Sequence, residues 1–134
     1  MIDVNQADSA MWDALPGIGS VLSSRIIRYR EKLGGFVDVA QIREVYGISD
    51  SLYTVIRPRL HFAEGPLRLI SINTEQESVL SAHPYIGRAL AKEIVAYRSA
   101  HGPFRDTAAL YLLMSRPAGQ IQRIFSYLAW DKTQ

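Results

Sequence analysis

Leu15-Pro16-Gly17-Ile18-Gly19-Ser20 is the stretch around which the chain is organised. Two glycines flanking an apolar residue let the backbone turn sharply and approach whatever lies in front of it. Ser20 is placed to cap the helix that follows, whose first N–H groups have no partner within the helix. Those N–H groups, at the positive end of the helix dipole, form a small site for an anion such as a phosphate. The same six residues also describe a plain joint between two helices that binds nothing. The rest of the chain bears on the choice.

Outward from the turn, an apolar stripe begins. Leu22, Ile26, Tyr29 and Leu33 recur at steps of four, three and four, which predicts a helix from about Val21 to Leu33, ended by Gly34-Gly35. Upstream, Asn5 or Asp8 caps a helix ending near Ala14, with Met11 and Leu15 on its inner face. Downstream, Asp38 caps a third helix, with Ile42 and Val45 facing in. A second hairpin, Tyr46-Gly47-Ile48-Ser49, is poorer in glycine, and a last helix carries Leu52, Val55 and Ile56 before Arg57-Pro58 stops it.

Shifted by 68 residues, the sequence aligns with itself without a gap. The identical pairs include Asn5/Asn73, Pro16/Pro84, Ile18/Ile86, Gly19/Gly87, Ile26/Ile94, Tyr29/Tyr97, Arg30/Arg98, Phe36/Phe104 and Leu60/Leu128. The sequence therefore predicts one unit at 1–62, a short linker at 63–68 marked by Gly65-Pro66, and a second unit at 69–134. In the second unit Val79 and Leu80, then Leu90, Ile94 and Tyr97, then Leu110, Leu113 and Met114, then Ile121, Ile124, Phe125 and Leu128 supply the inward faces. Each unit reads as about four short helices, with no convincing strand. The fold class is all-α, held by packing because helices this short do not stand alone.

Composition narrows the function. With 48% hydrophobic and 21% charged residues the chain has the makings of a buried core. There is no apolar run of membrane-spanning length and no signal-peptide pattern. Zero cysteines exclude disulfides and thiolate metal sites. Net charge is +2, unevenly spread: residues 1–67 hold 7 basic against 8 acidic side chains, and residues 68–134 hold 8 against 5. That permits a polyanion partner without demanding one.

Val4-Asn5, Leu15-Pro16-Gly17-Ile18-Gly19, Ile26-Ile27-Arg28-Tyr29-Arg30, Gly34-Gly35-Phe36 and Val45-Tyr46-Gly47-Ile48, in that order, resemble the ComEA-type helix-hairpin-helix domain of competence proteins. The resemblance covers most of each half, in tandem. It implies two double helix-hairpin-helix (SAM-like) units and non-sequence-specific binding of duplex DNA, backbone N–H groups of the hairpins meeting phosphates. Carried over, the candidates are Gly17, Ile18, Gly19 and Ser20, then Gly47, Ile48 and Ser49, then Ile86, Gly87 and Arg88. The resemblance also implies a monovalent cation on the carbonyls of Leu15 and Ile18. Family members are often exported and membrane-anchored in DNA uptake. On that implication the chain is extracytoplasmic if a leader precedes it, and cytoplasmic otherwise.

Four departures bear on the carry-over. Tyr85 stands where the third hairpin should have its first glycine. The fourth hairpin, Leu113-Met114-Ser115-Arg116-Pro117, has no glycine pair and is expected only to pack. Leu22 and Leu90 occupy the place of a frequent family lysine. Asp50 puts a carboxylate at the start of the helix after the second hairpin, where it repels a phosphate. One hairpin in four is intact, so DNA binding is expected to be weak and salt-sensitive. Arg25 and Arg28 after the first hairpin, and Arg88 and Lys92 after the third, are the compensating cations. Arg30 and Arg98 read as structural ties from the helix end to the following loop.

Other signals are set aside. His83 and His101 take the places of Leu15 and Leu33. No His/Asp/Glu spacing matches a metal site, and no nucleophile elbow or P-loop appears. Tyr29, Tyr97, Phe36 and Phe104 sit at repeat-matched core places, while Trp12 and Trp130 stay open between core and interface. The resulting expectation is a cofactor-free, non-enzymatic duplex-DNA-binding protein led by the first hairpin. The alternatives are a protein-interaction or scaffold module on the same fold, with DNA binding weakened or lost, and an accessory domain of a DNA-processing enzyme.

Overall fold

The computed structural model describes residues 1–114 and 118–130. The chain divides into two units, Met1–Leu67 and Arg68–Gln134. In the first, the order is β1 (Ile2–Asp3), α1 (Ser9–Asp13), α2 (Ser20–Leu33), a 3-10 helix over Val39–Glu44, α3 (Asp50–Ile56), a 3-10 turn over Arg57–Arg59 and β2 (Leu60–His61). In the second it is β3 (Ile70–Ser71), α4 (Glu77–Ala82), α5 (Gly87–His101), α6 (Thr107–Leu113), α7 (Ala118–Phe125) and β4 (Leu128–Ala129).

The described residues are mostly helical, but the expectation of no strand fails. β1 lies parallel to β2, with Ile2 opposite Leu60, and β3 lies parallel to β4, with Ile70 opposite Leu128. Val4 extends the first pairing by donating its N–H to the His61 carbonyl at 3.0 Å. A two-residue strand has no room for the alternation that marks strands in a sequence. Its partner lies at the far end of the unit, so no local signal exists.

α2 forms where its stripe predicts. Ile26 and Leu33 are fully buried, and Ser23 turns inward to donate to the Ser9 carbonyl at 3.0 Å, fastening α2 to α1. Gly34 ends the helix in the left-handed conformation (φ +89°), which glycine adopts without penalty. Ser20 is not the cap: Gly19 holds that place in extended backbone, and Ser20 is the first helical residue. At the third helix Asp38 does cap, paired with Gln41 in a reciprocal box.

The shortest helix is where periodicity misleads. Asp8 caps α1, accepting the Met11 N–H at 2.9 Å, but Met11 itself is exposed and Trp12 is the buried residue. Five residues are too few to phase a stripe. Val55 and Val79 are likewise exposed, while their neighbours Ile56 and Leu80 are buried. The side chain of Ile121 and residues 115–117 of the fourth hairpin lie outside the described residues.

The repeat-matched polar residues hold the frame. Asn5 is buried and does not cap a helix. Its Nδ2 donates to the carbonyls of Phe36 and Glu64 (both 2.9 Å), and its Oδ1 accepts the Phe36 N–H at 2.7 Å. Asn73 makes the same pair of bonds to Phe104, at 3.0 and 2.7 Å. Arg30 donates to the carbonyls of Val4 and Ala7 at 3.0 and 2.8 Å, and Arg98 to those of Ile72 and Glu75. Both arginines are structural, but they reach back to the start of the unit, not forward to the following loop. Burial pushes the Arg30 guanidinium below its usual range, opposed by Glu31 and Asp3. Residues 63–67 are bonded to the first unit: Leu67 donates its N–H to the Gly34 carbonyl at 2.7 Å, beside a cis Gly65–Pro66 bond.

Candidate nucleic-acid interface

In the first hairpin the Ile18 N–H donates to the Leu15 carbonyl at 3.1 Å, closing a turn with Gly17 at φ +80°. Such a turn needs a residue that tolerates positive φ at its third position. The second hairpin repeats this: Ile48 donates to Val45 at 3.1 Å, and Gly47 sits at φ +96°. Both turns bury their first and fourth residues, Leu15 with Ile18 and Val45 with Ile48, and expose the two between. The second hairpin is thus no poorer in backbone geometry than the first. The sequence carries that signal in the 30-residue echo of apolar-x-Gly-Ile.

The two turns also support one another. A Cβ on Gly17 would lie 2.6 Å from Leu52 Cδ1, at the start of α3. A Cβ on Gly47 would lie 2.8 Å from Leu22 Cδ2, at the start of α2. Each glycine is the floor on which the other motif's leucine rests. This explains why Leu22 is apolar where the resemblance expects a lysine: its side chain is turned to the partner hairpin.

Electrostatically the two differ. No side chain caps α2, so the N–H groups of its first turn face Gly19 and Ser20, both exposed. On α3 the Ser49 hydroxyl accepts the Leu52 N–H at 3.1 Å, and Asp50 places its carboxylate in the first turn. Asp50 is 3.1 Å from the Arg43 guanidinium, a solvent-exposed pair that neutralises only part of its field. The longer helix with the open end is therefore the stronger anion site. Ile18 and Ile48 contribute shape rather than donors, since their N–H groups close the turns. The Leu15 carbonyl named for a cation already accepts one of those bonds.

Arg25 belongs to the second hairpin, not the first. Its Nη1 donates to the Tyr46 carbonyl at 3.2 Å and its guanidinium lies over the Tyr46 ring, 4.9 Å from the centroid. Sequence reasoning missed Tyr46 in this role.

The third hairpin is built differently. Tyr85 does not take a positive φ, as no non-glycine residue among those described does. The left-handed residue moves two places to Gly87 (φ +74°), which is also the first residue of α5. Both Ile86 and Gly87 donate their N–H groups to the His83 carbonyl, at 3.0 and 3.1 Å. His83, buried, accepts the Tyr85 N–H on Nδ1 at 3.1 Å and packs its ring on Tyr127 at 5.1 Å. The candidate donors of Ile86 and Gly87 are thus turned inward, while Arg88 and Lys92 remain on the exposed face of α5. Trp12 is buried and removed as an interface residue, and Trp130 is half-buried near Phe125. Among the described residues no group of three His, Asp or Glu side chains is placed to hold a metal ion, and no helix is long and apolar enough to cross a membrane.

The helix-hairpin-helix motif matches this sequence at residues 1–61 and again at 67–113. The chain belongs to the helix-hairpin-helix family. That motif is generally associated with DNA binding without sequence preference. The helix-hairpin-helix chain is also 26% identical, over 141 aligned positions, to a protein of Danio rerio named endonuclease/exonuclease/phosphatase family domain-containing protein 1. The likeness covers 92% of this chain but only 26% of the relative, so the chain spans about a quarter of that protein's length. Against that likeness the expectation of a chain with no enzymatic role does not stand. No solved structure matches.

Proposed function

We propose that this chain grips duplex DNA through its phosphate backbone, without regard to sequence, in the service of a nuclease-related reaction. The observation that carries the DNA reading is the pair of matched turns in the first unit, each exposing its glycine and seated on the other's leucine. Phosphates would meet the backbone of Gly17, Gly19 and Ser20, with Gly47 and Ser49 beside them, and Ile18 and Ile48 anchoring the turns. In the second unit only Arg88 and Lys92 add charge, since the donors of Ile86 and Gly87 face inward. With the α2 helix end and a few cations as contacts, binding is weak and falls with salt on a shallow slope. The nuclease-related setting rests on the likeness to the Danio rerio protein. Neither comparison speaks for the DNA-uptake role that the ComEA-type resemblance implied. A second reading, contact with a protein, is favoured by α6, where Leu112 is 88% exposed and Tyr111 41%.

The decisive variant is Gly19→Asp. Gly19 lies in extended backbone, and a Cβ there meets nothing within 4 Å. The carboxylate would cap α2, stabilising the fold by roughly a few tenths of a kcal/mol, and occupy the place of the phosphate. Fluorescence anisotropy on a random duplex of about two helical turns should show affinity falling at least about tenfold, while the unfolding midpoint rises. A more stable variant that binds as tightly as wild type sinks the phosphate site at the first hairpin. Failure of the wild-type chain to bind at low salt sinks the DNA reading and leaves the protein-contact one.

A further inference from the structure

Beside the second hairpin, the C-terminal half of α2 faces a shallow cleft of about 220 Å³ lined by Arg25, Arg28, Tyr29, Lys32, Val45 and Tyr46. Three of the six are cations and none is an acid. The carboxylate tied to this wall, Glu44, accepts the Tyr29 hydroxyl at 2.7 Å. Arg25 is fixed by the Tyr46 carbonyl and ring. Arg28 and Lys32 are exposed, one helical turn apart, and Arg28 is bonded only weakly, to the Ser24 hydroxyl at 3.1 Å. The ring of Tyr46, 81% exposed, stands as the lip.

We infer that this cleft is a second phosphate subsite of the nucleic-acid surface, taking a backbone phosphodiester between Arg28 and Lys32 with Tyr46 against the adjoining sugar. The inference rests on the DNA reading and adds to it a contact that does not use hairpin N–H groups. Size decides the ligand group: about 220 Å³ is below the range of pockets that enclose a whole small molecule but has room for a phosphate and its first waters. Position agrees with this. Arg28 lies eight residues past Ser20, roughly 12 Å along α2 at 1.5 Å per residue, so the subsite and the first helix end engage different phosphates.

The test is the salt dependence of duplex binding by the full chain. Removing one phosphate-binding cation lowers the slope of log affinity against log salt by about one. Arg28→Gln/Lys32→Gln empties a subsite for one phosphate and should lower it by about one, with helical content unchanged because both side chains are exposed. Arg57→Gln/Arg59→Gln, which removes the same charge from another exposed stretch of the unit, should leave it unchanged. Equal slopes for wild type and Arg28→Gln/Lys32→Gln overturn the subsite and leave the hairpin reading standing. An equal drop in both double variants also overturns it, because general charge then explains the effect. Weakened binding in Gly19→Asp with an intact Arg28/Lys32 contribution supports both sites as separate, and a wild-type chain that does not bind overturns both.

Discussion

The first and third hairpins occupy the same place 68 residues apart, share Pro, Ile and the second Gly, and yet fold differently. In the first, Gly17 takes the positive φ and Gly19 stays extended, so the donors at the start of α2 point outward. In the third, Tyr85 cannot take that φ, the left-handed residue becomes Gly87, and two donors close on the His83 carbonyl. The isoleucine N–H closes the turn in both hairpins; what the third position changes is the second glycine, whose N–H at Gly87 also turns back to the His83 carbonyl. The frame around the turn is indifferent to the change: the Asn and Arg fastenings are the same in both units.

The largest effect should come from breaking what the two units share. Asn5→Ala leaves the buried N–H and carbonyl of Phe36 without partners and should cost about 3 kcal/mol, at roughly 1–3 kcal/mol for each such group. Asn73→Ala should cost a similar amount through Phe104. Denaturant unfolding, followed on Trp12 for one unit and Trp130 for the other, measures each. A destabilisation under about 1 kcal/mol in either would mean that the fastening is not what holds that unit's frame.

Next come the glycines on which the hairpins differ. Gly17→Ala forces a left-handed alanine, at about 1–2 kcal/mol, and pushes on Leu52. Gly87→Ala has only the backbone strain, with nothing within 4 Å of its Cβ. The first should therefore be the more destabilising, by about 1 kcal/mol. Equal destabilisation would show that the Gly17–Leu52 seat contributes nothing, and the mutual support of the two turns would fall with it.

The smallest effect separates the first hairpin from the second. Asp50→Asn removes an exposed ion pair, so stability should change by less than about 0.5 kcal/mol. The repelling charge at the second helix start is removed as well, and duplex affinity should rise about two- to fivefold, the equivalent of roughly 0.3–1 kcal/mol. Unmoved affinity would place the second hairpin away from the phosphates.

Much of this is legible in the sequence, and the failures have physical causes. The repeat, the α2 stripe, the Gly34 stop and the Asp38 cap are local patterns with one cheap solution each. Periodicity misplaces Met11 and leaves Trp12 open because five residues do not define a face. The strands escape it because two residues carry no period. Glycine count ranks the second hairpin below the first, although Gly47 already stands at the one position that needs positive φ. Leu22 reads as part of the α2 stripe and Arg25 as a surface cation, when the partners of both lie more than 20 residues on, in the other hairpin. In the third hairpin the glycine missing at Tyr85 is visible, but its consequence for Ile86 and Gly87 requires the actual path of the backbone.

The pairing of β1 with β2 has a consequence for biosynthesis. Ile2 meets Leu60, so the first and nearly the last residues of the unit are neighbours. The helices and turns between them are local and can form as the chain emerges. The closing contact spans almost the whole unit and bears its full loop-closure entropy. A ribosome that has delivered both hairpins has therefore not yet delivered a closed unit. Until Leu60 and His61 are free of the exit tunnel, Val4 lacks the carbonyl that its N–H will meet.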